Sequence, residues 1–241
     1  MSTFLPASIA CPRCGEAFQS EIAISVHAER MPELRHALLD DRFQQFTCPS
    51  CLFPVRVEPS LLYTDFGRDL WVVALRRDGI RHRGALAASV QAQFDRHMRE
   101  NCAPMVRAWA DDFTVRLVFG TEALREKLVL FDAGLDDRLV EALKWDLARR
   151  ESLLAPDALF VVRAVDDATV HLLHRSSPDE ARGTVLAVPR ALLDAYAAER
   201  EQWAAALPSI FDGIVVDWRA PLWPDEPLPD AESGPLPPAD H

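Results

Sequence analysis

Along this 241-residue chain the spacing of apolar positions changes repeatedly, and each change marks an element. Residues 18–26 alternate apolar and polar from Ile22 onward, which predicts a strand with one face buried. The period then shifts. Pro32 stands where a helix begins, Glu33 falls in the first turn, and Leu34, Ala37 and Leu38 share a face, predicting a short helix over 32–40. Residues 43–47 and 53–57 read as strands on either side of 48–51. Residues 61–63 and 70–75 read as two more, joined by the turn-like Asp65-Phe66-Gly67-Arg68.

From Ala85 the pattern is helical: Leu86, Val90, Phe94, Met98 and Cys102 recur every four residues as one apolar stripe, ending at Pro104. Residues 115–120 predict a strand, and Thr121 an N-cap for a helix over 123–130. Asp136 and Asp137 precede Leu139, Leu143 and Leu147, so this acidic pair reads as the capped start of a helix rather than as catalytic carboxylates. Beyond residue 156, strands over 159–165 and 169–174 form a hairpin. A strand over 183–188, a helix over 189–207 and a last strand over 213–218 follow. Residues 221–241 carry Pro, Asp and Glu without periodicity and read as a disordered acidic tail.

These elements predict an α+β protein. Residues 1–83 form a small antiparallel sheet with an inserted helix, which the paired cysteines Cys11/Cys14 and Cys48/Cys51 make a zinc-ribbon-like module; 84–154 form a mainly helical middle. Residues 155–220 form a small α+β module, and 221–241 the tail. With 49% apolar residues the chain can bury a sizeable core. Every apolar run is broken well short of the roughly 18 residues of a membrane helix. The first ten residues show no basic segment and no room for a signal-peptide core, so a cytoplasmic location is expected. Arginine outnumbers lysine so far, with Lys127 and Lys144 the only lysines, that a GC-rich bacterial source is expected.

The net charge of -11 is uneven. Residues 1–83 are balanced, and the excess acid lies beyond them. Only Arg76, Arg77, Arg81, His82 and Arg83 cluster as cations, which disfavours general nucleic-acid binding. No glycine-rich phosphate loop, GxSxG elbow or HExxH pair occurs. His171 and His174, three apart on a strand, would face opposite ways. His97 has no carboxylate near it in sequence, and an enzyme would need groups such as Tyr63, Asp65, Asp136 and Asp137 gathered from distant segments.

Cysteine changes the picture most. Cys11-Pro12-Arg13-Cys14 and Cys48-Pro49-Ser50-Cys51 use four of the five cysteines. Two thiolates three residues apart in a tight turn can face one centre, and proline after the first cysteine favours that turn. A four-thiolate zinc site of Cys11, Cys14, Cys48 and Cys51 is therefore expected, with iron or a metal-free dithiol as alternatives. Gly15 follows the first pair where the backbone must turn sharply, whereas Leu52 follows the second and marks an irregularity. Four thiolates saturate a tetrahedral ion and leave no position for catalytic water, which argues against a hydrolytic zinc enzyme. His27 and His36 lie between the pairs but are not needed as ligands, and Cys102 reads as a core residue of its stripe.

Both pairs, together with Pro32-Glu33-Leu34, Phe46-Thr47-Cys48-Pro49-Ser50-Cys51 and Leu61-Leu62-Tyr63-Thr64-Asp65, resemble the CpXC domain, a bacterial and archaeal family without an established function. Thr64 stands where that family's Leu-Leu-Tyr-His-Asp has histidine, and Leu117-Val118-Phe119-Gly120 and 134–144 are similar to its downstream segments. The resemblance implies metal binding by the same four cysteines and supplies no substrate or reaction. The expected role is a zinc-binding structural or adaptor protein acting on a protein partner, with no catalytic residues and no membrane contact. A redox-responsive zinc thiolate and a nucleic-acid-binding zinc ribbon using the arginine cluster are the alternatives.

Overall fold

The computed structural model describes residues 2–155, 157–177 and 182–228. The described chain divides into two compact units, one holding 2–79, 88–121 and 228, the other 80–87 and 122–227.

In the first unit, β1 (Phe4–Ala10) and β2 (Ala17–Ala23) form an antiparallel hairpin, followed by β3 (Ser25–His27) and helix α1 (Pro32–Leu39). Pro32 opens α1 at its first turn, as its fixed φ allows. A second antiparallel hairpin pairs β4 (Gln45–Thr47) with β5 (Pro54–Arg56). The alternation over 18–26 is divided between β2 and β3. β1 was not legible in the sequence, since Pro6 and the alanines blur its alternation.

The antiparallel hairpins hold the cysteines, but the larger sheet of this unit is mixed. Its order is β3-β6-β7-β8, with β6 (Leu61–Asp65), β7 (Leu70–Leu75) and β8 (Thr114–Phe119). β3 runs parallel to β6, β6 antiparallel to β7, and β7 parallel to β8. β6 and β7 are buried along their whole length, as central strands covered on both faces are. The apolar stripe folds as α2 (Arg83–Asp95), continues into a π-helical turn, Arg96–Glu100, and precedes α3 (Pro104–Trp109). Val90, Phe94 and Met98 of the stripe are buried, with Phe94 edge-on to Trp71 at 5.4 Å.

In the second unit, α4 (Thr121–Asp132) and α5 (Asp137–Arg150) accompany an antiparallel sheet of β9 (Leu159–Val165), β10 (Thr169–Arg175) and β11 (Thr184–Pro189). Leu143, Phe160, Val162, Leu172 and Trp218 belong to one hydrophobic core. The helix expected over 189–207 is shorter and divided: α6 (Leu192–Ala198) and α7 (Arg200–Ala206) break at Glu199, and α8 (Pro208–Phe211) begins at Pro208.

Both lysines are buried in this unit. Lys127 contacts Glu141 at 2.9 Å and Asp137 at 3.1 Å, and Lys144 contacts Glu126 at 2.9 Å and Glu141 at 2.8 Å. All five side chains are buried, a placement tolerated only when charges are paired and hydrogen-bonded. The strand expected over 213–218 is reduced to an isolated bridge at Val215, and the backbone beside it meets the network: Lys127 Nζ donates to the Val216 carbonyl at 2.8 Å, and the Trp218 N–H donates to Glu141 Oε2 at 2.9 Å. Burial raises the Glu126 carboxyl, Lys144 lowers it, and the nearby Glu141 charge helps leave it at about 7. For Lys127, burial works against the charge, and Asp137, Glu141 and Glu126 outweigh it and raise its pKa.

The expected tail begins later than its composition suggests. Within the second unit the Arg81 guanidinium lies 3.9 Å from the Trp223 ring centroid, Arg83 donates to the Trp223 carbonyl, and the Gly84 N–H donates to Asp225 Oδ1. An arginine face stacked on indole holds this stretch although its own pattern is uninformative. Residues 229–241, the rest of the expected tail, lie outside the described residues.

Candidate metal centre

Each cysteine pair occupies the loop of a hairpin in the first unit. The terminal pairs Ala10↔Ala17 and Thr47↔Pro54 leave residues 11–16 and 48–53 as loops of equal length. Their hydrogen bonds correspond. The Cys11 N–H donates to the Glu16 carbonyl at 2.8 Å and the Gly15 N–H to the Cys11 carbonyl at 2.9 Å; the Cys48 N–H donates to the Phe53 carbonyl at 2.9 Å and the Leu52 N–H to the Cys48 carbonyl at 2.9 Å. The residue after each second cysteine is left-handed, Gly15 at φ +76 and Leu52 at φ +58. Leu52 thus adopts the same turn without glycine's freedom, and its side chain is 75% exposed, so no packing offsets the strain.

Replacing Leu52 with glycine is expected to raise the stability of the metal-loaded protein by about 0.5–1 kcal/mol, the relieved strain exceeding glycine's extra unfolded-state entropy. Gly15→Ala, at a site with open space around the missing Cβ, should lower it comparably. Thermal midpoints at fixed zinc check both; a Leu52→Gly midpoint below that of the wild type would contradict the strain.

The loops bring the four sulfurs within 4.8 Å of one another. Cys11 Sγ lies 3.6 Å from Cys51 Sγ and Cys14 Sγ 3.7 Å from Cys48 Sγ. Four sulfurs at about 2.3 Å from a tetrahedral zinc would stand about 3.8 Å apart, so the donor set fits such an ion. Cys11 and Cys48 are buried, packed with Ile9 and Val55 and against Phe18, Phe46 and Phe53, while Cys14 is exposed.

Thiols this close compete for protons. Burial raises Cys11, and backbone hydrogen bonds from Cys14 and Arg13, with contacts from the Cys51 and Cys14 thiols, outweigh it and bring Cys11 down to about 7. A backbone hydrogen bond from Glu16 lowers Cys14, but the Cys51 thiol, burial, Cys11 and Cys48 push it up to about 12. A divalent cation held there would resolve the conflict by keeping all four as thiolates. The four cysteines, none in a disulfide, can hold a metal ion.

The other residues singled out in the sequence have different employment. His27 stacks on Phe66 with ring centroids 5.4 Å apart, His171 contacts Asp166 at 2.8 Å, and the buried His174 meets Phe160 edge-on. His97 donates through Nδ1 to the Gln93 carbonyl, and Cys102 is half-buried at the end of its stripe. Asp136 caps α5 by accepting from the Arg138 N–H at 2.9 Å, and Asp137 pairs with Lys127. Tyr63 donates to the buried Asp65, which also faces Arg68 and Arg35. Of the arginine cluster, Arg76 pairs with Asp78 and Arg77 with Glu58, while Arg81 and Arg83 hold Trp223. Among the described residues no helix is long and apolar enough to cross a membrane.

No curated protein and no solved structure matches the chain. A family model does match, that of the CpXC protein, over residues 9–144, which is more than half of the chain and includes both cysteine pairs, and the chain belongs to the CpXC family.

Proposed function

We propose that the chain is a zinc-stabilised structural or adaptor protein in which Cys11, Cys14, Cys48 and Cys51 hold one zinc ion as a fastening between two hairpin loops. The observation that carries this reading is the sulfur geometry: two contacts of 3.6 and 3.7 Å within a set closed to 4.8 Å. Four thiolates complete the tetrahedron and leave zinc no position for a reacting water, which supports a structural rather than a hydrolytic ion. The role is then exercised through a protein partner in the cytoplasm. The engagement of Arg76, Arg77, Arg81 and Arg83 with the chain's own carboxylates, carbonyl and indole supports this over nucleic-acid binding.

Elemental analysis of the purified protein tests the reading. One equivalent of zinc is expected, and close to none in the double variant Cys11→Ser, Cys48→Ser. Wild-type protein carrying iron or no metal, or a double variant with full zinc, would overturn it.

A further inference from the structure

The mixed sheet of the first unit carries a cavity of about 330 Å³ whose lining includes none of Cys11, Cys14, Cys48 and Cys51. Its floor follows from strand register: His27 pairs with Thr64, and Thr64 with Trp71, so the three stand in a row across β3, β6 and β7. Successive side chains alternate faces, and cross-strand partners share one. The π-helical turn contributes His97 and Met98 to the lining, and α3 contributes Val106. A π-turn inserts a residue into a helix and re-aims the side chains around it, a distortion found often at functional sites. Here it falls on the stretch that lines the cavity.

Two features show what the cavity would take. Trp71 is 3% exposed, yet its indole N–H has no acceptor among the described residues. A buried donor without a partner is costly and uncommon. The lining is mainly apolar and includes no Lys, Arg, Asp or Glu, so it suits an uncharged guest. Its size falls at the lower end of ligand pockets, about 300–1,000 Å³.

We propose that this cavity binds a small, uncharged and mainly apolar molecule, about two fused rings in size, whose carbonyl-type oxygen accepts a hydrogen bond from the Trp71 indole N–H. The inference goes beyond the zinc reading and does not depend on it: the metal fastens the hairpins, and the cavity on the sheet recognises a ligand.

The test uses full-length, metal-loaded protein labelled with ¹⁵N at tryptophan and two matched probes, 2-acetylnaphthalene and 2-ethylnaphthalene. The indole N–H signal missing from Trp71→Phe should move downfield with the ketone and not with the hydrocarbon. The ketone should bind about three- to tenfold tighter, as one net hydrogen bond implies. Val106→Phe, which fills part of the cavity from its lining without adding an indole, should weaken both probes and identifies the site should Trp71→Phe not fold. Failure of the ketone to shift any indole N–H signal at saturation would overturn the proposal. Equal affinity for the two probes, or unchanged affinity in Val106→Phe, would overturn it as well.

Discussion

Cys48→Ser should leave the protein without bound zinc and melt the cysteine-bearing hairpins while the second unit stays folded. Cys48 is fully buried and stands 3.7 Å from Cys14, so serine removes a thiolate from the interior of the centre and puts a hydroxyl without metal affinity in its place. A structural zinc contributes on the order of 10 kcal/mol or more to a small domain, because the unfolded chain holds no formed site. The hairpins have little to replace it: beside the sulfurs their core cluster buries Ile9 and Val55, with Phe18, Ile22, Phe46, Phe53 and Val57 only partly buried against it. The second unit has its own extended core and should keep its helical signal. Trypsin cleavage at Arg13, Arg42 and Arg56, rapid in the variant and slow in the wild type, would report the melting residue by residue. A variant that resists trypsin like the wild type would show that the hairpins stand without metal. Cys14→Ser, at the exposed corner of the centre, should cost less affinity because water can take the lost position.

Lys144→Met should destabilise the second unit by about 3–5 kcal/mol, the cost of leaving buried carboxylates without their cation. Lys144 holds Glu126 through two contacts of 2.9 and 3.0 Å and Glu141 at 2.8 Å, and methionine fills similar space with no charge. Arg76→Ala, which breaks a pair whose side chains are 78% and 67% exposed, should change stability by less than about 0.5 kcal/mol. Urea midpoints of the two variants make the comparison; a Lys144→Met midpoint within error of Arg76→Ala would remove the network from the stability of the fold. The loss should also depend on pH. The folded Glu126 carboxyl titrates at about 7 and the unfolded one near 4.5, so in that interval the folded state binds the extra proton. Stability contributed by this group falls as pH rises through the interval. Removing the lysine that lowers Glu126 extends the interval upward, so the variant's deficit should be smaller at pH 5 than at pH 8.

What could be read directly from the chain is what acts over a few residues. The spacing of each cysteine pair, with proline between, marks a turn that needs no distant information, and the two loops have corresponding hydrogen bonds. Pro32 opens α1 and Asp136 caps α5 by equally local rules. The irregularity at Leu52 was visible too, though its outcome was not: the turn keeps its left-handed residue instead of relaxing. β1 escaped because a strand containing Pro6 and little alternation is defined by its partner β2. Residues 213–218 misled in the opposite way. They carry the composition of a strand, but form only an isolated bridge at Val215, with the Val216 carbonyl and the Trp218 N–H bonded to a buried lysine and a buried glutamate.

The amino-acid sequence by itself marked the four cysteines that can hold a metal ion, the turns that present them, the α+β character and most elements, because periodicity, capping and CxxC spacing are properties of neighbours. Only the tertiary structure decided which strands share a sheet: β8 joins β7 in parallel across the stripe helix that separates them. It also decided that the chain's only two lysines meet three carboxylates in the interior, and that His27, Thr64 and Trp71 line one cavity. Those outcomes rest on long-range register and on desolvation of paired charges, and each depends on how distant segments exclude water together.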